Sequence, residues 1–364
     1  MSITKNVKEE LGRRVATASE EEFLEARFRP LVELANGEPP GNGHGGTGWA
    51  VRTVQLDSTG AATVEIRRNG GRAVFAKFFP PGTDGEAIHD KLRTLREAGF
   101  GAGAAYQVVE PLAWVPDLDL LVCAEAIGPS VADVLAGDDP AARRRAVEEA
   151  ATWLGHLHST PLRIGRPHSM IVSTEILSLT RRLAKVATEH ADYVPEALRK
   201  IEQLEALALE TVDGLAVQSH GQYRPIHVFL GPGFPGAPGV GPGSRGVPGV
   251  DGATTVIDLD RSRPADPARD TAEFLHRLRR QLTGDGRSDQ EVEATTAAFL
   301  DAYRAAVPDP EAWLANLRFH WARYVFHSMN RKLKKGDSKE DEEAVDTYRA
   351  DFDALIEGRL LPAG

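Results

Sequence analysis

The sequence predicts an α+β protein of two lobes, a small N-terminal lobe built on an antiparallel sheet and a larger C-terminal lobe that is mainly helical. Three observations predict it. Between Trp49 and Phe79 apolar and polar residues alternate, and short turn sequences cut the alternation twice. Beyond Gly128 the period changes to that of amphipathic helices, interrupted by two short strand-like runs. The length, 364 residues, is about twice that of an average domain.

The elements follow in order. SEEEFLEARFRPLVELAN, residues 19–36, opens with a serine and three glutamates and then places Leu24, Phe28, Leu31 and Ala35 at helical spacing, the pattern of an N-capped helix interrupted by Pro30. GEPPGNGHGGTG, residues 37–48, is a linker by its glycine and proline content. WAVRTVQL, AATVEIRR and RAVFAKFF are three strands joined by the turns DSTG and NGG, which makes an antiparallel meander. Residues 85–100 form a helix with Ile88, Leu92 and Leu95 on one face and Gly99 near its end. Two further strands, 106–115 and 118–127, complete a five-stranded sheet. Residues 1–47 are thus an N-terminal helical extension and linker, 48–127 the small lobe and 128–364 the helical lobe.

In the larger lobe, residues 147–159 place Val147, Ala151, Leu154 and Leu157 on one stripe. Amphipathic stretches at 173–190 and 194–211 lead to short strands around 216–230 and 254–259, and helices resume at Asp270 and continue through 287–306, 310–333 and 338–358. Residues 231–252 hold nine glycines and five prolines. Gly241 breaks their three-residue glycine step, so a flexible insertion is expected rather than a collagen-like rod.

Composition excludes several classes. Cys123 is the single cysteine, so neither an internal disulfide nor a cysteine-based zinc module is available, and a reducing cytoplasm is the expected compartment. No apolar run approaches the length of a membrane span, and the first residues lack the apolar core of a secretion signal. With 43 basic against 53 acidic residues the net charge is −10, which argues against nucleic acid and leans toward a cationic small molecule. His156 and His158, two apart on a helix, point to different faces and are read as structural. Phe319, Trp321, Tyr324 and Phe326 are read as core.

Four features share one chemistry: a lysine on the third strand, a turn of small residues before it, an HG segment ahead of a short strand, and IDLD at the end of the next. Phosphoryl transfer uses a strand lysine to neutralise nucleotide phosphates, a carboxylate at a strand end to hold Mg²⁺, and a loop to position the acceptor hydroxyl. In this order, over residues 48–330, the chain resembles the aminoglycoside phosphotransferase and choline kinase-like family, relatives of the protein kinases. Lys77 in AVFAKFF resembles the phosphate-binding lysine, His220-Gly221 in SHGQYRPIHVFL the start of H-G-D-x-x-x-x-N, and IDLD at 257–260 the metal-binding I-D-x-D. DPARD, residues 266–270, is similar to the segment whose last Asp, here Asp270, braces the catalytic loop.

The resemblance implies a protein kinase-like fold that binds ATP and Mg²⁺ or Mn²⁺ together with a small hydroxyl-bearing acceptor. It implies Lys77 on the α- and β-phosphates, backbone donors in the turn Ser58-Thr59-Gly60 over the phosphates, and Glu86 as partner of Lys77 with Asp90 and Glu97 as rivals. The hinge at 123–127, with Glu125 and Ile127, would meet adenine, and Gly128 would turn the chain into the second lobe. Asp258 would hold the metal with His227 and Asp260; Gln222 would face the acceptor, His220 shape the loop and Arg224 lend charge near the transferred phosphate. Two positions depart from the family: Gln222 stands where the catalytic Asp is expected, and His227 where the metal-binding Asn is expected. Glutamine cannot accept a proton as a carboxylate does, and hard Mg²⁺ prefers oxygen to imidazole. Two readings therefore stand side by side: a small-molecule kinase with altered catalysis, and a nucleotide-binding pseudokinase with a regulatory or partner-binding role.

Overall fold

In the first part of the chain Val64, Ile66, Val74, Ala76, Phe78, Leu120 and Val122 fall at alternate positions of three strands, and all are buried on one face. The computed structural model describes residues 3–37, 48–56, 61–80, 82–168, 172–212, 215–232, 234, 252–334 and 339–360. The chain divides into two units, residues 1–128 with 245–257, and 129–244 with 258–364.

The first unit begins with α1 (Ile3–Ala18), ahead of residues 19–36, the part of the N-terminal helical extension to which the sequence pattern assigns a helix. α2 (Glu21–Phe23) passes through a π-helical turn (Leu24–Phe28) into α3 (Arg29–Asn36). The wide turn lies just ahead of Pro30, which has no N–H to give to a regular helix and sits in the first turn of α3, where none is needed. Leu11, Ala18, Leu24, Phe28, Val32 and Ala35 from these helices join the sheet residues in one core. Full burial of a side chain such as Phe28 stabilises by about 1.5–3 kcal/mol. Arg14 ties α1 down: its guanidinium donates to the carbonyls of Leu118 (3.0 Å) and Phe79 (2.9 Å) and pairs with Asp119 (3.2 Å).

β1 (Trp49–Leu56), β2 (Ala62–Arg68) and β3 (Val74–Phe78) form the expected meander, with Asn69 and Gly70 of the NGG turn both at positive φ. α4 (Gly85–Leu95) follows, N-capped by Asp84. The run 106–115 is two strands rather than one. β4 (Tyr106–Val108) leaves the main sheet, and β5 (Pro111–Val115) pairs with β6 (Leu120–Ala124), giving the order β1-β2-β3-β6-β5, antiparallel throughout.

The second unit holds α5 (Val131–Ala136), α6 (Pro140–Ser159), α7 (Val172–Val186), α8 (Val194–Leu209), β7 (Val217–Ser219) and β8 (Val228–Phe229). β9 (Thr254–Val256) returns to the first unit and pairs in parallel with β4, extended by Val109 N–H to the Val256 carbonyl at 2.9 Å. β10 (Arg263–Ala265), α9 (Pro267–Gly284), α10 (Asp289–Ala306), α11 (Pro310–Leu314), α12 (Leu317–Leu333) and α13 (Lys339–Ile356) complete the second unit. Ser130 with Asp133 and Ser288 with Glu291 form capping boxes, and Asp139, Asp266 and Asp309 cap α6, α9 and α11; each cap is worth about 1 kcal/mol. Trp153, Phe274, Phe299, Trp321, Phe326 and Phe352 fill the core, with the Phe274 and Phe299 rings stacked at 4.4 Å. α6 reaches α10 closely because Gly155 has no Cβ, which would otherwise lie 2.6 Å from the Ala306 methyl. Phe319, Trp321 and Phe326 are core, as the sequence implied. His158 is buried while His156 faces outward. Among the described residues no helix is long and apolar enough to cross a membrane.

Candidate functional site

The segment that carries the HG motif hangs from the β7–β10 ladder, in which Ser219 lies opposite Arg263 and Val217 opposite Ala265. Buried polar groups lock this ladder. Gln218 donates to Ser262 Oγ (2.8 Å) and accepts from Ile164 N–H (2.7 Å), while Ser262 Oγ donates to the Ser219 carbonyl (2.7 Å). The chain then turns at Gly221, whose φ is +85°. A Cβ there would lie 2.4 Å from the Arg261 carbonyl oxygen, so only glycine fits.

Asp270 in the first turn of α9 holds the turned segment. Its two carboxylate oxygens accept from the backbone N–H groups of His220 (2.6 Å) and Gly221 (2.9 Å), and His158 Nε2 lies 3.3 Å away. Burial alone would raise the Asp270 pKa, but the His158 hydrogen bond, the charges of His158 and His220 and the loop N–H groups together hold it below the usual carboxylate range. His158 Nδ1 is in turn 2.7 Å from Tyr303 Oη. His220 is fully buried; its Nδ1 accepts from Gln222 N–H (3.2 Å), which makes it a positioning residue rather than one that meets a ligand. Tyr223 anchors the same turn, stacked between Trp153 (5.7 Å) and Phe274 (5.2 Å), with its hydroxyl donating to the Ala150 carbonyl at 2.7 Å.

His227 and Asp258 come together. His227 Nδ1 lies 3.0 Å from the Gln222 carbonyl, which can only accept, so this nitrogen carries the proton and Nε2 is the atom turned to Asp258, 3.5 Å from Oδ2. Burial, with the nearby charges of His220 and Arg224, outweighs the attraction of Asp258 and pushes the His227 pKa down to about 4. At neutral pH a lone pair on Nε2 and a carboxylate oxygen therefore face each other, a donor set that suits a divalent cation. Asp258 holds a left-handed conformation (φ +65°) and leads into a 3₁₀ turn containing Asp260. No cluster of three His, Cys, Asp or Glu side chains forms among the described residues, so Asp260 does not complete a protein-only cage with the other two.

Gln222 and Arg224 act on one another. With its amide oxygen facing Arg224, Gln222 accepts from both terminal nitrogens of the guanidinium, Nη1 at 3.1 Å. Arg224 Nε donates to the buried carboxylate of Glu273 at 2.7 Å.

In the first unit Lys77 sits mid-strand in β3, opposite Thr63 and Leu121, with its ammonium 5.7 Å from the Phe79 ring centre. Glu86 is exposed in the first turn of α4; Asp90 lies 3.4 Å from His89 and Glu97 3.6 Å from Arg93. After β6, Glu125 pairs with Arg67 and accepts from Ala73 N–H (2.9 Å), while its carbonyl accepts from Arg72 (3.3 Å); Ile127 is half-buried. Gly128, at φ +108°, is the last residue before the chain enters the second unit. Ser58, Thr59 and Gly60 lie outside the described residues, as does the Gly/Pro-rich stretch apart from Gly231, Pro232, Phe234 and Gly252.

No family model matches the sequence, and no curated protein matches it. Solved structures do match the fold. Choline kinase from Cryptosporidium parvum superposes with a TM-score of 0.56 at 11% identity over 91% of this chain and 97% of that one. Ethanolamine kinase from Plasmodium vivax gives 0.54 at 11% identity over 99% and 96%. The GDP complex of aminoglycoside 2'-phosphotransferase-IIIa gives 0.52 at 13% identity over 93% and 98%. The chain has the protein kinase-like fold. Its antiparallel-sheet unit and its helical unit are the two parts of that fold.

The HG segment, Asp258 and Asp270 were singled out by the resemblance of their motifs to the family pattern. Tyr223, Glu273 and the His158–Tyr303 pair were not, although the LGHLHS helix had marked His158 as structural. Their contacts join residues far apart in sequence, and no local pattern announces them.

Proposed function

We propose that the chain is an ATP-dependent phosphotransferase that moves the γ-phosphate to a hydroxyl of a small molecule. The observation that carries this reading is the His227–Asp258 pair, 3.5 Å apart, in which His227 belongs to the loop whose first turn, His220-Gly221, Asp270 fastens through two backbone N–H groups. The fold adds support, since neighbours with it include a choline kinase, an ethanolamine kinase, an aminoglycoside phosphotransferase solved with GDP and a spectinomycin phosphotransferase solved with ADP and spectinomycin.

The proposed roles follow from phosphoryl-transfer chemistry, in which positioning and charge neutralisation dominate. Lys77 neutralises the α- and β-phosphates, the turn Ser58-Thr59-Gly60 donates backbone N–H groups, Glu86 supports the lysine, and the segment with Glu125 and Ile127 meets the base. His227 Nε2 and Asp258 would hold a divalent ion, which would supply neutralisation of charge on the phosphates. Gln222 orients the acceptor hydroxyl through its amide NH₂, because its oxygen is engaged by Arg224. Arg224 keeps positive charge beside the same loop. With no carboxylate at position 222 the acceptor proton leaves to solvent or to the phosphate itself, and the missing base lowers the rate by about 10²–10⁴-fold.

That same Gln222–Arg224 contact is the observation that favours the second reading, a nucleotide-binding regulatory module. ATP consumption with aminoglycosides, sugars and amino alcohols separates the two. Turnover abolished by Asp258→Ala supports the enzyme; nucleotide binding without turnover on any acceptor supports the module. A thermal-shift titration comes first, since a ligand at about 100 Kd stabilises by about 2.7 kcal/mol. No shift with ATP and either Mg²⁺ or Mn²⁺ up to millimolar concentration would reject both.

A further inference from the structure

A second polar cluster in the helical unit plays no part in the chemistry above. Glu175 on α7 accepts from Arg269 Nη1 at 2.6 Å and from Arg323 Nη1 at 3.0 Å, and His168 Nε2 lies 3.5 Å from it. Arg263, exposed on β10, stands opposite Ser219, the residue before His220. Arg269 precedes Asp270. The cluster is thus one residue removed from the HG turn on two sides.

Its charges do not balance. Two largely buried guanidinium groups share one carboxylate, and Arg263 adds a third positive charge at the rim. Asp270 acts on Arg269 through its charge, but its oxygens accept from the loop N–H groups and face His158, and with it counted three guanidinium groups still meet two carboxylates. His168 is pushed down to about 4, by burial first and then by Arg269 and Arg263, so it is neutral at pH 7. Arg323 stacks on the Tyr324 ring at 4.4 Å, yet its Nε and Nη2, like His168 Nδ1, are buried with no hydrogen-bond partner among the described residues. A buried cation with unused N–H donors is costly unless an acceptor of opposite charge meets it.

We propose that Arg323, Arg269 and Arg263 bind an oxyanion, a carboxylate or phosphate group, carried by the acceptor. The fork of N–H donors on arginine matches such a group, and the excess positive charge selects it over a cation. As an anion site the cluster stands alone; as part of the acceptor's binding it rests on the phosphotransferase reading. It would make the substrate an acidic hydroxyl compound, against the cationic acceptor toward which the overall charge of −10 leans.

The test uses the full chain without nucleotide. Sodium sulfate, phosphate and malonate are titrated against sodium chloride at equal ionic strength, read by thermal shift and calorimetry. Wild type should bind these oxyanions above the chloride control, and Arg263→Ala and Arg323→Lys should each weaken binding about tenfold, the cost of one charge-assisted hydrogen bond. A shift no larger than with chloride, or one unchanged in Arg263→Ala, overturns the site; that exposed position decides the matter even if Arg323→Lys fails to fold. Glycerate and glycerol then read the acceptor role by calorimetry: binding of glycerate alone, displaced by sulfate, supports it, and equal binding of both or of neither overturns it. A failure of ATP to bind is a separate result that removes the phosphotransferase reading and leaves the anion site in place.

Discussion

Asp270 Oδ1 accepts the backbone N–H of Gly221 at 2.9 Å, so a fully buried carboxylate on one helix sets the conformation of the HG turn. Oδ2 takes His220 N–H in the same way. Asp270→Ala leaves two buried donors unpaired, at about 1–3 kcal/mol each. A melting temperature many degrees lower is expected, with any turnover abolished. Asp270→Asn keeps one accepting oxygen and should fall between the two proteins. Equal melting temperatures for wild type and Asp270→Ala would show that the turn does not depend on the carboxylate.

Linkage fixes the direction of the pH effect. The Asp270 pKa is lower in the folded protein than in the unfolded chain, so its contribution is present above the unfolded pKa and is lost as pH falls through the folded one. Denaturation midpoints measured between pH 7 and pH 3 should fall in wild type and fall less steeply in Asp270→Asn. A steeper acid limb in the variant would contradict this.

How much of this could be read beforehand depended on the range of the contacts. The β1–β3 meander was legible because alternation and the DSTG and NGG turns are local signals, and Pro30 marked a real irregularity. Helix α1 was missed because Leu11, Val15 and Ala18 are a thin stripe on a polar segment that gains its stability from packing on the sheet. The parallel pairing of β4 with β9 joins distant segments and has no local signature. At the site, the motif resemblance drew attention to Gly221, Asp258 and Asp270, while the hold of Arg224 on Gln222 emerged only in three dimensions.

Gly221→Ala tests the turn directly. A non-glycine residue at φ +85° costs about 1–2 kcal/mol, and the clash with the Arg261 carbonyl adds to it. The variant should melt lower and lose turnover more than nucleotide affinity, because the turn is displaced. Wild-type turnover in Gly221→Ala would mean that the HG segment has no role in transfer.

Gln222→Asp is expected to raise turnover, but by well under the 10²-fold that a free general base can supply. Arg224, already in contact with position 222, would pair with the new carboxylate and keep it ionised and weakly basic. Steady-state ATP consumption with the best acceptor of the panel reads the change. A rise of 10³-fold would show that Arg224 releases the residue during turnover.

His227→Asn replaces the imidazole by an amide oxygen and should exchange one metal preference for another. Imidazole favours Mn²⁺, Co²⁺ or Zn²⁺ over Mg²⁺, whereas an oxygen ligand suits Mg²⁺. Thermal shift and calorimetry of ATP with each metal should rank Mn²⁺ above Mg²⁺ in wild type and narrow or reverse the order in His227→Asn. The same substitution has a pH signature. With a folded pKa near 4 against an ordinary value of 6.5, the unfolded chain binds more protons at His227 in that interval, so stability falls as pH drops from about 6.5 toward 4. His227→Asn should lose that part of the decline, leaving what the other histidines with lowered pKa values, His168, His276 and His320, contribute. Identical metal ranking and identical acid profiles in the two proteins would place the metal elsewhere and reduce the His227–Asp258 pair to a structural contact.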